Sequence, residues 1–234
     1  MDPHFMFLYG YGPVILEGAW QTVQLAVLSV VVSVLIGLIG AWCKLARHPV
    51  PRWCATVYTT LIRSVPDLVL MLLIFYGIQI WMNMLTDALD LNQVDIDPFV
   101  AGVLTIGFIY GAYFTETFRG AFLAVPHGQL EAASAYGMRP FQAFRRILFP
   151  QMMRHALPGI GNNWQVVVKA TALVSIIGLS DIVKATQDAG KGSMRYFLFT
   201  IVAAILYLLI TTASNVVLHA LERRYNVGVR KAEL

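Results

Sequence analysis

Four polar or ionisable side chains, Asp67, Glu116, Asn163 and Lys169, stand within or at the ends of long apolar runs. Ionisable groups in such surroundings are costly, and they persist where something polar passes or where they pair with each other. Two carboxylates, Asp67 and Glu116, can attract a guanidinium, ammonium or imidazolium group. Lys169 can meet a carboxylate, and Tyr110 and Asn163 add a hydroxyl, an aromatic face and an amide. Such a set suits the binding of a small cationic zwitterion, with no bond made or broken. Each residue also has a structural reading. Asp67 follows Pro66, where an acid favours the positive end of a helix. Glu116 and Arg119 are spaced i,i+3 and can pair. Lys169 can pair with a carboxylate on another span, and Asn162 and Asn163 can join helices. Tyr110, Tyr113, Phe114 and Trp164 can serve as packing or interfacial anchors. The residues alone leave both readings open.

Catalytic chemistry finds little support. No G-x-x-x-x-G-K-[ST] segment occurs, so the chain has no phosphate loop of its own. His4, His48, His127, His155 and His219 are scattered, without i,i+4 pairing or a nearby thiolate, so no metal set emerges. Glu131 has no nucleophile or histidine beside it. Cys43 and Cys54 flank a basic loop expected at the reducing face, which argues against a disulfide.

The elements that must position these residues are membrane spans. Of 234 residues, 58% are hydrophobic and 13% charged, about half the charge of a soluble domain, and mean hydropathy is +0.66. Apolar runs near span length then predict an all-α, polytopic membrane protein of one domain, residues 1–234. The formal charge of +4 sits in short loops, where it reads as a topology signal and not as a nucleic-acid surface. Five spans are expected, near 23–43, 66–84, 99–125, 155–179 and 196–221. Lys44, Arg47, Arg52 and Arg63 mark a cytoplasmic loop in which Pro49 and Pro51 break any helix. Asp87, Asp90, Asp95 and Asp97 mark an outward one. Residues 127–150 are basic and cytoplasmic, 181–195 fall outward by parity, and Arg223, Arg224, Arg230 and Lys231 hold the C-terminus inside. Met1 to Leu16 lacks a basic n-region and an A-x-A site, so it is expected to be retained, outside. Gly37 and Gly40 suggest a close helix contact, and Pro158, Gly159 and Gly161 a kinked start to the fourth span. Glu116 falls roughly 26 Å into the third span, near the level of Asp67, and Lys169 lies above both.

The cytoplasmic stretch Glu131-Ala132-Ala133, three residues, Gly137, nine residues, Ile147-Leu148-Phe149-Pro150 resembles the EAA loop of ATP-binding-cassette (ABC) importer permeases, with Phe149 in place of Leu. Other segments are similar to polar amino-acid permeases: Arg63-Ser64-Val65-Pro66-Asp67-Leu68, Phe108 to Tyr113, Gly161-Asn162-Asn163, and Lys169 to Ser175. Within that group the chain resembles a permease subunit of the histidine/lysine/arginine/ornithine importers. The resemblance implies a type I importer permease fold, five transmembrane helices with a cytoplasmic coupling helix in residues 127–150. It implies a bacterial inner-membrane complex with a homologous second permease as heterodimer partner, two ATPase subunits that bind ATP and Mg, and a periplasmic amino-acid-binding protein. It gives Glu131, Ala132, Ala133, Gly137, Arg145 and Arg146 a role in coupling to the ATPase, with lipid phosphates an alternative contact for the two arginines. A gradient-driven transporter or channel is the competing reading; the EAA-like loop and the lack of an inverted repeat count against it.

Overall fold

Prolines and short polar side chains set where the helices begin. The computed structural model describes residues 7–93 and 95–225, and every regular element among them is helical. After a 3-10 turn at Phe7–Gly10 come α1 (Gly12–Leu45), α2 (Pro49–Ser64), α3 (Asp67–Ala88) and α4 (Pro98–Leu123). Residues 127–150 hold α5 (His127–Ala135), α6 (Pro140–Ala143) and a π-helical turn, Phe144–Leu148. Then follow α7 (Phe149–Ala170), a 3-10 segment Thr171–Ile177, α8 (Ile182–Ser193) and α9 (Tyr196–Tyr225). Asp97 caps α4 by accepting from the Val100 N–H at 2.9 Å, and Asp181 caps α8 through Lys184 N–H at 2.9 Å. Arg230, Lys231 and the first six residues lie outside the described residues.

α1, α3, α4 and α9 are each long and apolar enough to span, and Pro140–Ile177 with Ile182–Ser193 forms a fifth, bent by 54°. The all-α, five-span expectation therefore holds, with two corrections. Pro49 and Pro51 open a helix and do not break one, because an N-terminal helical position needs no N–H. Residues 181–195 form mostly helix, α8, and not an open loop. The fourth span ends at Gly178, whose φ of +104° only glycine adopts readily, and α8 continues beyond the bend. Ile182 N–H donates to Thr22 Oγ1 at 3.2 Å, seating α8 on α1.

α4 is the centre, with 61% of its most apolar stretch buried against 11% for α3 and 6% for α9. It runs parallel to α1: Leu25 meets Gly102, Val32 meets Gly107, Ile36 meets Gly111, and Gly40 meets Thr115. Ser33 Oγ donates to the Gly107 carbonyl at 3.1 Å in the same seam. α7 and the 3-10 segment after it cross the other side of α4 in the opposite sense, through Gly159 against Thr117 and Val174 against Gly102. α3 leans on α4 more loosely, beside an apolar cleft of about 680 Å³ lined by Val32, Ile74, Phe75, Leu104 and Phe108. Exposed Trp20 and Trp42 on α1 stand roughly 33 Å apart along the axis, the spacing of two membrane interfaces.

The Gly37–Gly40 contact is present. A Cβ on Gly37 would lie 2.5 Å from Phe114 Cβ, and one on Gly40 2.2 Å from Thr115 Oγ1. Gly40→Val should cost about 1–3 kcal/mol or more through overpacking and lower the thermal midpoint of the detergent-solubilised complex. Gly120→Ala, where a Cβ meets nothing within 4 Å, should leave the midpoint unchanged. Equal midpoints for the two variants would show that the seam is not tight.

Candidate substrate site and coupling surface

α2 ends level with the middle of α4 because the residue before a proline is driven to extended backbone. Val65 and Pro66 have ψ of 140° and 136°, and α3 restarts at Asp67. Ala55, Thr59 and Ile62 are the buried face of α2, and Tyr58 Oη donates to the Phe108 carbonyl at 2.5 Å, holding α2 to α4. At the break, Tyr110 Oη donates to Asp67 Oδ2 at 2.6 Å. Tyr110 is 3% exposed, and its ring centroid lies 5.4 Å from that of Tyr113. The Arg63 guanidinium sits 5.3 Å above the Tyr113 ring. The fold thus brings together Asp67, Tyr110, Tyr113 and Arg63. The charge pattern places Arg63 in a basic loop; it stands instead in the last turn of α2 at the helix break, level with α4's tyrosines. The signal for it was present, since Ala55, Thr59 and Ile62 have helical spacing, but the prolines masked it.

Glu116 is elsewhere. It lies six residues beyond Tyr110 on α4, roughly 9 Å further along the helix, so the two carboxylates do not share a level. Lys44, at the C-terminal end of α1, pairs with Glu116 Oε1, and Arg119 pairs with Oε2 at 2.9 Å. The Lys44 side chain is 12% exposed and that of Glu116 20%. Asn163 is buried and donates to Thr117 Oγ1 at 3.1 Å, tying α7 to α4. Lys169 is exposed on α7 and pairs with no carboxylate among the described residues. The structure therefore groups Asp67 with Tyr110 and separates Glu116, Asn163 and Lys169 from them.

The EAA-like stretch projects as a helix with a closed end. α5 terminates in Gly137, at φ +70°; Gly137 N–H donates to Ser134 O at 2.9 Å and Met138 N–H to Ala133 O at 3.0 Å, a Schellman end. Glu131, Ala132 and Gly137 are exposed, and Tyr136 and Phe141 protrude at 86% and 71%. Ala133 is buried at 1%. It faces its own chain, so the expected outward contact from Ala133 is corrected: its small size serves internal packing. Arg145 and Arg146 are exposed on the π-helical turn. Gln151 Nε2 donates to Gln129 Oε1 at 3.4 Å, linking the start of α7 to α5.

Removing one member of a buried ion pair strands the other charge. Glu116→Gln should destabilise the complex by roughly 1–3 kcal/mol, less than a fully buried pair because its edge is wet. Lys44→Met combined with Glu116→Gln should recover part of that loss in a double-mutant cycle of thermal midpoints. Additive losses would mean that Lys44 and Glu116 do not depend on each other.

Comparison with known proteins fits this architecture. Residues 33–227 match the family model described as binding-protein-dependent transport system inner membrane component. The chain is 63% identical to the histidine/lysine/arginine/ornithine transport system permease protein HisQ of Salmonella typhimurium, over 97% of this chain and 100% of the relative. It is 41% identical to the nopaline transport system permease protein NocQ of Agrobacterium fabrum, over 94% of each. A crystal structure of an amino acid ABC transporter with histidines superposes with a TM-score of 0.78 at 32% identity, over 96% of this chain and 100% of that one. An inward-facing MetNI methionine ABC transporter, at 19% identity and a TM-score of 0.65 over 94% of this chain and 99% of that one, shares the fold. The chain belongs to the family of binding-protein-dependent transport system inner membrane components, as a permease subunit of the type I ABC importer fold.

Proposed function

We propose that this chain is a membrane subunit of an ATP-driven importer that carries basic amino acids, the histidine, lysine, arginine and ornithine group, from periplasm to cytoplasm. The chain performs no catalysis itself. Its partners are a homologous second permease, two ATPase subunits that bind ATP and Mg, and a periplasmic amino-acid-binding protein, with the N-terminus outside and the C-terminus inside. The observation that carries the reading is a carboxylate at a helix break inside the bilayer, Asp67, held by Tyr110 at 2.6 Å in a chain of this family. A broken span is a frequent place for a transported solute, since backbone freed from the helix can be satisfied where it lines a cavity. Asp67 also stands in the first turn of α3, where the positive end of the helix stabilises its charge.

In this reading Asp67 receives the cationic group of the substrate, and the buried Tyr110 fixes the carboxylate. Glu116, already engaged by two cations, and Asn163, engaged by Thr117, hold the helices. Lys169 is assigned no contact with the substrate in this chain. The coupling surface is the exposed side of α5, with Glu131, Ala132, Tyr136 and Gly137, flanked by Arg145 and Arg146 for the ATPase or lipid phosphates.

The test is arginine uptake and ATP hydrolysis by the full complex in liposomes. Asp67→Asn should lower uptake about tenfold or more, the value of one lost charge-assisted bond, while hydrolysis stimulated by the binding protein persists. Tyr136→Ala should instead lower stimulated hydrolysis and uptake together. Normal uptake with Asp67→Asn would remove the carboxylate from the substrate path.

A further inference from the structure

An amino acid brings three charges to its site when its side chain is basic: a cationic side chain, an α-ammonium and an α-carboxylate. Asp67 answers only the cations. We infer that Arg63 is the group that receives the substrate's α-carboxylate, which makes it the residue that distinguishes an amino acid from a simple amine inside the membrane.

The argument starts from position. Arg63 is the second residue before Val65, in the last turn of α2, and Asp67 is the first residue of α3. The extended backbone at Val65 and Pro66 separates them, so the two charges flank one helix break. They do not neutralise each other, because no ion pair joins Arg63 to Asp67 among the described residues. An arginine and an aspartate four residues apart in a continuous helix would meet as an i,i+4 pair; the break removes that geometry. Both instead lean on neighbouring rings of α4, Asp67 on Tyr110 at 2.6 Å and Arg63 on Tyr113 at 5.3 Å, with the two rings 5.4 Å apart.

The chemistry of Arg63 points the same way. Its guanidinium is exposed, and a ring face leaves the in-plane N–H groups unused, since stacking takes the π surface and not the donors. A planar fork with free donors matches a carboxylate in two parallel hydrogen bonds. Beside the middle of an apolar span a guanidinium without an anion is costly, and a transported α-carboxylate supplies one. The result is a dipolar cradle, positive at Arg63 and negative at Asp67, that reads both ends of a zwitterion. This assignment rests on Asp67 and Tyr110 forming the substrate site.

The test uses the solubilised permease–ATPase complex without binding protein, measuring equilibrium binding of arginine and of agmatine, which is arginine without its carboxylate. The wild-type complex should bind arginine about tenfold or more tightly than agmatine. Arg63→Gln should bring arginine down to the agmatine affinity and leave agmatine unchanged, while Arg63→Lys should keep part of the preference. Because the readout is a ratio within one preparation, loss of some folded complex does not alter it. Should Arg63→Gln not assemble, the ratio for Arg63→Lys decides: an undiminished preference for arginine overturns the assignment. It is also overturned if Arg63→Gln weakens both ligands equally or neither. Asp67→Asn should weaken both ligands alike. If it does and the Arg63 variants do not change the ratio, only this inference falls; if Asp67→Asn changes neither, the substrate site itself lies elsewhere.

Discussion

The close parallel contact between α1 and α4 is the constraint on which the remaining structure depends. Within a bilayer, helices gain little from hiding apolar surface, because lipid tails are as apolar as leucine. Association must come from near approach and from polar bonds across the seam. Here Gly37, Gly40, Gly107 and Gly111 remove the side chains that would hold the backbones apart. Ser33 and the Lys44–Glu116 pair then fix the register. With α1 in place, α4 becomes a buried rod, and it is this rod that carries Tyr110, Tyr113, Glu116 and Thr117. Three of the other helices are positioned by what they find there: α2 by the Phe108 carbonyl, α3 by Tyr110, α7 by Thr117.

The contrast with α3 and α9 is informative. Their apolar stretches are 11% and 6% buried, and α3 is joined to its surroundings by few polar bonds: Asp67 to Tyr110, and Gln79 Oε1 accepting from the Ile96 N–H at 3.0 Å. Helices so bare inside one chain are completed by lipid or by other subunits of the complex. A span weakly held by its own chain is free to shift without unpacking the core, since local opening costs least where few buried contacts are lost.

Much of this was legible in composition and motif. Hydropathy marks the spans that are apolar throughout, α1, α3, α4 and α9, and the EAA-like stretch marks a short helix, α5, with its closing Gly137. What was not legible has physical causes. Pro49 and Pro51 look like helix breakers, yet the same missing N–H makes proline acceptable where a helix begins. The segment after Gly178 carries mixed charge and reads as a loop, but its buried Ile182, Ala185, Thr186 and Ala189 have helical spacing and seat it on α1. Carboxylate depth counted along single helices put Asp67 and Glu116 together; only the pairing between helices separates them. Ala133 looked like a surface contact because alanine is small, and smallness serves an inner contact equally well.

The position of the site relative to the coupling helix follows from the same rod. α5 joins the end of α4 through Ala124, Val125 and Pro126, and Val125 is buried at 4%, so the junction is packed. Tyr110 lies roughly 20 Å up the same continuous helix from Leu123. A displacement of α5 that moves α4 as a body therefore carries Tyr110 and Tyr113 with it. Asp67 and Arg63 stand on α3 and α2, on either side of a break with extended backbone, and no helical hydrogen-bond ladder obliges them to follow. Relative motion between the two sets concentrates at the Tyr110–Asp67 bond and at the Arg63–Tyr113 contact. If these residues form the proposed site, its charges stand on α2 and α3 and their tyrosine partners on α4, so its grip changes whenever α4 moves.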